Sequence, residues 1–244
     1  MVEVEATTLL RRSGAQSRNA TFHLLAELTD GTEVSVVVKP SMPIDGHCLE
    51  WVGAELGRRL GILVPDSFSV GFSTAFRSAL TATDQTKFVA DRAVFGAQQF
   101  VGLDPPVHPL ADVLRPRAAS LMAFDVFVQN ADRREGNPNF MVSREDLMAF
   151  DHELICSDRY LFGDAKDDPA SLARSHWCFR EVRGSDFNEF ALRLVGLTDQ
   201  AIDDVIAEAT GKWPINFGAE IASALKKRRD SAPIWIERMK SWLR

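Results

Sequence analysis

The chain has 244 residues, 45% of them hydrophobic and 25% charged, with a formal net charge of -6. That composition gives a globular chain of one large domain or two intimate lobes, and the negative balance offers no general attraction for nucleic acid. The longest apolar runs, such as Val34 to Val38, fall far short of the roughly 18 residues of a membrane span, and Cys48, Cys156 and Cys178 show no CxxC spacing for a zinc knuckle or disulfide framework.

The N-terminus, "MVEVEATTLLRRSG", lacks an apolar signal region, so the expected location is the cytoplasm. "TTLLRR", "TFHLLAEL" and "EVSVVVKP" follow as strands rich in β-branched and aromatic residues, with a tight turn at Asp30-Gly31 between the last two. An antiparallel meander is the expectation. From His47 the period changes to that of a helix, with Leu49, Val52, Leu56 and Leu60 on one face, until "GILVPD" stops it. "SFSVGF" and "RAVFGAQQF" read as two more strands, and "VGLDPPVHP" as a break.

Beyond the break the chain reads as helical in "RPRAASLMAFDVFVQ", "TDQAIDDVIAEAT", "FGAEIASALKKRRD" and "APIWIERMKSWLR". Pro116 suits a first helical turn, and the basic clusters "LRRSG" and "LKKRRD" read as solvated faces. The expected fold is α+β and two-lobed: a small antiparallel-β lobe with one helix over residues 1 to 100, and a larger, mostly helical lobe over 101 to 244.

The chemistry gathers in "NADRREGNPNF", residues 130 to 140, and "MAFDHE", residues 148 to 153, just after the apolar run "LMAFDVFV". Carboxylates and amides next to a buried segment need partners. Asp132 and Asn137 stand five apart, the separation that a kinase catalytic loop uses between its base and a metal-binding Asn, and Asp151 follows the strand-like "DLMAF" as a metal-binding Asp would. Oxygen ligands of this kind suit magnesium. Lys39 ends a V-x-x-K strand, the place of a phosphate-contacting lysine, and Glu50 lies on the next helix, where it can pair with that lysine; Glu55 fits less well. Asp125 reads as a brace for the loop, Asn139 as a second brace, and "DHE" lacks the second His of a zinc motif. A plain turn accounts for the Asn, Asp, Gly and Pro content of the window but not for its spacing to Asp151 and Lys39.

These stretches, with "VVVKP" ahead of "LEWVGAELGRRLGILVP", resemble the HipA-like kinases over about residues 10 to 155. The resemblance implies a protein-kinase-like fold and an ATP- and Mg2+-dependent transfer of the γ-phosphate to Ser or Thr of a protein substrate. It implies Asp132 as catalytic base, Asn137 and Asp151 as metal ligands, and Lys39 with Glu50 at the nucleotide. Gly14 marks the phosphate loop, Gln98, Gln99 and Phe100 the adenine hinge, and Ser13 and Ser17 the serines open to self-phosphorylation in that loop. An antitoxin-like partner also belongs to the resemblance. A small-molecule or lipid kinase, a nucleotidyl transferase and a silent binding module on the same scaffold remain open, because function belongs to the site.

Overall fold

The computed structural model describes residues 1–13, 19–156 and 169–243. Its N-terminal half is built from β1 (Val2–Arg12), β2 (Phe22–Glu27), β3 (Glu33–Val38), β4 (Ser67–Phe72) and β5 (Val94–Gln98). Apolar residues at alternate positions, Phe22, Leu24 and Ala26 of β2 and Phe68, Val70 and Phe72 of β4, make the inner faces apolar, and Gly31 at φ +82 turns β2 into β3 with Thr32 N donating to Asp30 Oδ1 at 2.9 Å.

The strands do not form the simple antiparallel sheet that the sequence suggests. The strands close a barrel in the order β1-β2-β3-β5-β4, and the closing pair, β1 with β4, is parallel, with Val2 opposite Phe68 and Val4 opposite Val70. Register shifts between Ala6 and Thr8 and between Leu9 and Arg11 bend β1 so that it can serve both neighbours. Phe22, Leu24, Val36, Val38, Val70 and Phe88 fill the interior.

This half also holds more than one helix. After α1 (Ile44–Arg59) come two short ones, α2 (Thr74–Ser78) and α3 (Ala82–Gln85), each started by a hydroxyl cap: Ser73 accepts from Phe76 N and Thr81 from Asp84 N. Both lie between β4 and β5. The Phe76 ring from α2 joins Phe72 and Phe88 in the barrel core.

The C-terminal half comprises α4 (Arg115–Val128), a ribbon of β6 (Phe140–Val142) and β7 (Leu147–Ala149), several 3-10 turns, and α5 (Asn188–Gly196), α6 (Asp199–Lys212), α7 (Gly218–Asp230) and α8 (Ala232–Trp242). Thr198 caps α6 by accepting from Ala201 N at 3.1 Å. α4 is apolar nearly all round, which suits its central burial, and it ends at Gln129 in the left-handed region, φ 56. Its Leu121, Phe124 and Phe127 pack in one core with Val52 and Leu56 of α1 and with Leu60 just beyond its end. That core therefore reaches into the N-terminal half, and the cleft between barrel and helices is walled by α1 and by the turn Phe150 to His152 that follows the ribbon.

Candidate active site

Lys39 is the residue after β3 and shares with Val37 the cleft-facing side of that strand, opposite the barrel interior; Val37 pairs with His23 on β2. These side chains line a cavity of about 310 Å³ together with Glu50 of α1, Gln98 at the end of β5, Phe100 beyond it, and Asp151. The size suits a small-molecule ligand.

Across the cavity the Lys39 ammonium meets three carboxylates: Asp151 Oδ1 at 2.6 Å, Glu153 Oε2 at 3.0 Å and Glu50 Oε1 at 3.4 Å. Burial alone would favour the neutral amine, but the summed pull of Glu50, Asp151 and Glu153 holds Lys39 charged, with its pKa raised. Glu50 is the most enclosed of the three. Its burial outweighs the attraction of Lys39, and the like charges of Asp151 and Glu153 add to the effect, so its carboxyl is pushed up to about 7. The other Glu50 oxygen accepts from His152 N at 2.6 Å, which fixes the turn carrying Asp151 against α1. Glu55, by contrast, pairs with Arg58.

The second cluster is the loop after α4. Asp132 Oδ2 accepts from Asn137 Nδ2 at 2.8 Å and Asn139 Nδ2 at 3.0 Å, and its own N–H donates to Asn130 Oδ1 at 3.1 Å. A tight turn, in which Asn137 N donates to Arg134 O at 2.8 Å, converts the five-residue spacing into contact. Asn130 Nδ2 donates in turn to Asp125 Oδ1 at 3.2 Å, and Asp125 Oδ2 lies 2.8 Å from His176 Nε2. Asn139 and Asp151 both adopt positive φ, 47 and 62, conformations that Asn and Asp tolerate better than most residues.

The structure thus brings together Lys39, Glu50 and Asp151 in one group and Asp132 with Asn137 in another. Gln98 and Phe100 line the cavity, whereas Gln99 is set back and reaches it through His23, whose Nδ1 lies 3.2 Å from Gln99 Oε1. Gln98 N and Gln99 N are engaged by Asp66 O and Ser35 O, both at 2.8 Å, so a base at this edge would turn to carbonyl oxygens or to Phe100. Ser13 Oγ lies 2.8 Å from His23 Nε2; Gly14 and Ser17 lie outside the described residues. Sequence reading passed over Glu153, Arg133 and His23 as site residues. Only a carboxylate two positions beyond Asp151 could have pointed to Glu153, and nothing in the local spacing marks His23 as a cavity wall.

A family model described as HipA-like kinase matches residues 16–170, the span that holds Lys39, the Asp132 loop and Asp151. The chain belongs to the HipA-like kinase family. It therefore carries a kinase-like phosphotransferase domain, and the family implies ATP and a divalent metal in general terms. The solved structure of a Helicobacter pylori proinflammatory kinase, CtkA, superposes with a TM-score of 0.55 over 97% of this HipA-like chain and 96% of that one, at 12% identity, and so agrees in fold. A Neurospora crassa PAN3 pseudokinase aligns at a TM-score of 0.32 and 10% identity over 97% of this chain and 61% of that chain.

Among curated proteins, one named glutamate racemase from Rhizobium meliloti (strain 1021) is 25% identical over 191 residues, 78% of this chain. The chain spans 65% of that relative's length. The HipA-like site has no free thiol at its cleft among the described residues. Cys48 and Cys156 are buried with pKa pushed up to about 12, and burial raises Cys178 as well. No helix among the described residues is long and apolar enough to cross a membrane.

Proposed function

We propose that this HipA-like chain transfers the γ-phosphoryl group of ATP to the hydroxyl of a serine or threonine on a protein, in the cytoplasm, under the control of an antitoxin-like partner. The observation that carries the reading is the Lys39 group: a partly buried ammonium held by Glu50 and Asp151 in the wall of a cavity of about 310 Å³. The residues suit a hard divalent cation, since the oxygens of Glu50, Asp151 and Glu153 lie within 4.8 Å of one another. Asp151 and Asn137 are the residues that would hold magnesium, which when bound neutralises charge on the phosphates.

In this reading Lys39 orients the phosphates and Glu50 keeps the ammonium in place. Gln98 and Phe100 contact the base, with Gln99 behind His23, and Gly14 belongs to the loop covering the phosphates. Asp132, aligned by Asn137 and Asn139, accepts the proton of the attacking hydroxyl as its oxygen bonds to the γ-phosphorus. The bond from that phosphorus to the bridging oxygen breaks, and ADP leaves.

The test is transfer of label from γ-labelled ATP to proteins of a bacterial lysate, with magnesium present. Asp132→Asn and Asp151→Asn are expected to keep the wild-type circular dichroism and lose about 10²- to 10⁴-fold in transfer. Undiminished transfer by folded Asp151→Asn would sink the assignment, and label arriving only from α-labelled ATP would replace phosphoryl with nucleotidyl transfer.

A further inference from the structure

Between the two clusters lies a group that neither uses directly. The Arg133 side chain follows Asp132 in sequence, is fully enclosed, and reaches both segments of the site. Its Nε stands 2.7 Å from Asp125 Oδ2 as a close charge contact, Nη1 donates to Asn139 O and, at 2.8 Å, to Phe150 O, and Nη2 lies 3.0 Å from His152 Nδ1.

The acceptors have a pattern. Asn139 is one of the two amides that align Asp132, and it stands in the left-handed region. Phe150 and His152 are the two neighbours of Asp151, which also stands there. Phe150 N donates to Asn139 O at 3.1 Å, so the two segments already touch at the carbonyl that Arg133 grips. Residues with unusual φ persist where their surroundings over-determine them. A planar, always charged fork can satisfy acceptors in several directions at once; an ammonium cannot match that geometry.

We infer that Arg133 is a positioning residue for the phosphotransfer reaction, clamping the Asp132 loop to the Asp151 turn so that base and metal-binding carboxylate keep a fixed relation. Asp125 supplies the opposing charge that lets the guanidinium stay buried, and it is itself held by Asn130 and His176. The inference rests on the phosphotransfer reading, and it makes a demand that simple packing would not. Loosening the clamp damages the metal-dependent part of nucleotide binding and spares the part that the cavity provides by itself.

The experiment is calorimetric titration of the full chain with ATP, with and without magnesium, for wild type, Arg133→Lys, His152→Leu and His152→Asn. Wild type is expected to bind ATP more tightly with magnesium. Folded Arg133→Lys should lose about 10- to 100-fold of that strengthening while its magnesium-free affinity stays unchanged. His152→Leu removes one arm of the fork and should lose part of the strengthening, whereas His152→Asn restores an acceptor and should recover it. Amide exchange of segments 137–141 and 148–153 should accelerate together in the weakened variants.

Wild-type strengthening in folded Arg133→Lys overturns the clamp; should that variant fail to fold, wild-type strengthening in His152→Leu overturns it equally. Equal loss of magnesium-free and magnesium-dependent binding also overturns it, because that is the signature of general destabilisation. A wild-type protein that binds ATP without any response to magnesium removes the phosphotransfer reading itself, and the clamp falls with it.

Discussion

At the scale of single residues, burial and charge decide what each titratable group can do. His47 lies on the inner side of α1, where its Nδ1 accepts from Phe95 N at 3.2 Å. Burial, followed by the nearby charges of Arg92 and Lys39, drives its pKa down to about 3, so it folds as the neutral imidazole. The unfolded chain binds that proton near pH 6.5, and the folded chain refuses it until about pH 3. Stability from this group is therefore complete above pH 6.5 and declines as pH falls towards 3, with a limiting slope of about 1.4 kcal/mol per pH unit. His23 and His152 are depressed in the same direction, chiefly by burial, and add to the acid sensitivity. Denaturant melts across that range should show a shallower pH slope for His47→Gln than for wild type; identical slopes would mean that His47 is not titrating on unfolding.

At the scale of elements, the approach of α1 to the Asp151 turn depends on a missing side chain. A Cβ on Gly53 would lie 2.4 Å from His152 Cβ, an atom that cannot swing aside, whereas one on Gly57 would meet Phe124, Val64 and Ile62 at 3.4 to 3.6 Å, ordinary contact. Gly53→Ala is expected to cost about 1–3 kcal/mol by forcing helix and turn apart. Gly57→Ala, which gains helix propensity without a clash, should be neutral or stabilising by up to about 1 kcal/mol. Thermal unfolding of the two variants tests the contrast. The same scale shows what could be read in advance. β2, β3, β4, α1 and α4 were legible because period and turn chemistry are local signals, and the Asp132-Asn137 pairing was legible because one turn makes it. α5 was missed because Leu192 and Val195 face solvent, at 77% and 61% exposure, and blur its apolar stripe. Arg133 reads as one more charge in a polar loop; only the fold reveals that its acceptors come from residues up to 19 positions away. The basic run of α7 was read as solvated, yet Arg228 donates to Val126 O at 2.7 Å and Arg229 to Leu197 O at 2.9 Å, so part of it stitches helices together.

For the whole molecule, the question is whether barrel and helices unfold as one. Trp213, at the end of α6, is buried against Trp51 of α1, with ring centroids 6.1 Å apart, and its Nε1 donates to Ala93 O at 2.9 Å at the entry to β5. One side chain thus joins the helical half, α1 and the barrel. A single cooperative transition is expected, with Trp213→Ala losing about 3–5 kcal/mol and its fluorescence and far-UV circular dichroism midpoints moving together. Separate midpoints in the wild type would show two independent units. The barrel has a further consequence, beyond stability. Because β1 closes on β4, each of its five strands has a neighbour on both sides, although β1 meets β4 only over Val2 to Ala6 and runs on to Arg12 beside β2 alone. The small ribbon is guarded too, by bridges from Leu63 to Met148 and from Asp104 to Val142. Proteins that expose such ladders recruit stray strands from their neighbours in crowded solution, as swapped dimers or fibres. In the described residues of this chain closure of the barrel narrows that route to self-association to short stretches such as the second half of β1.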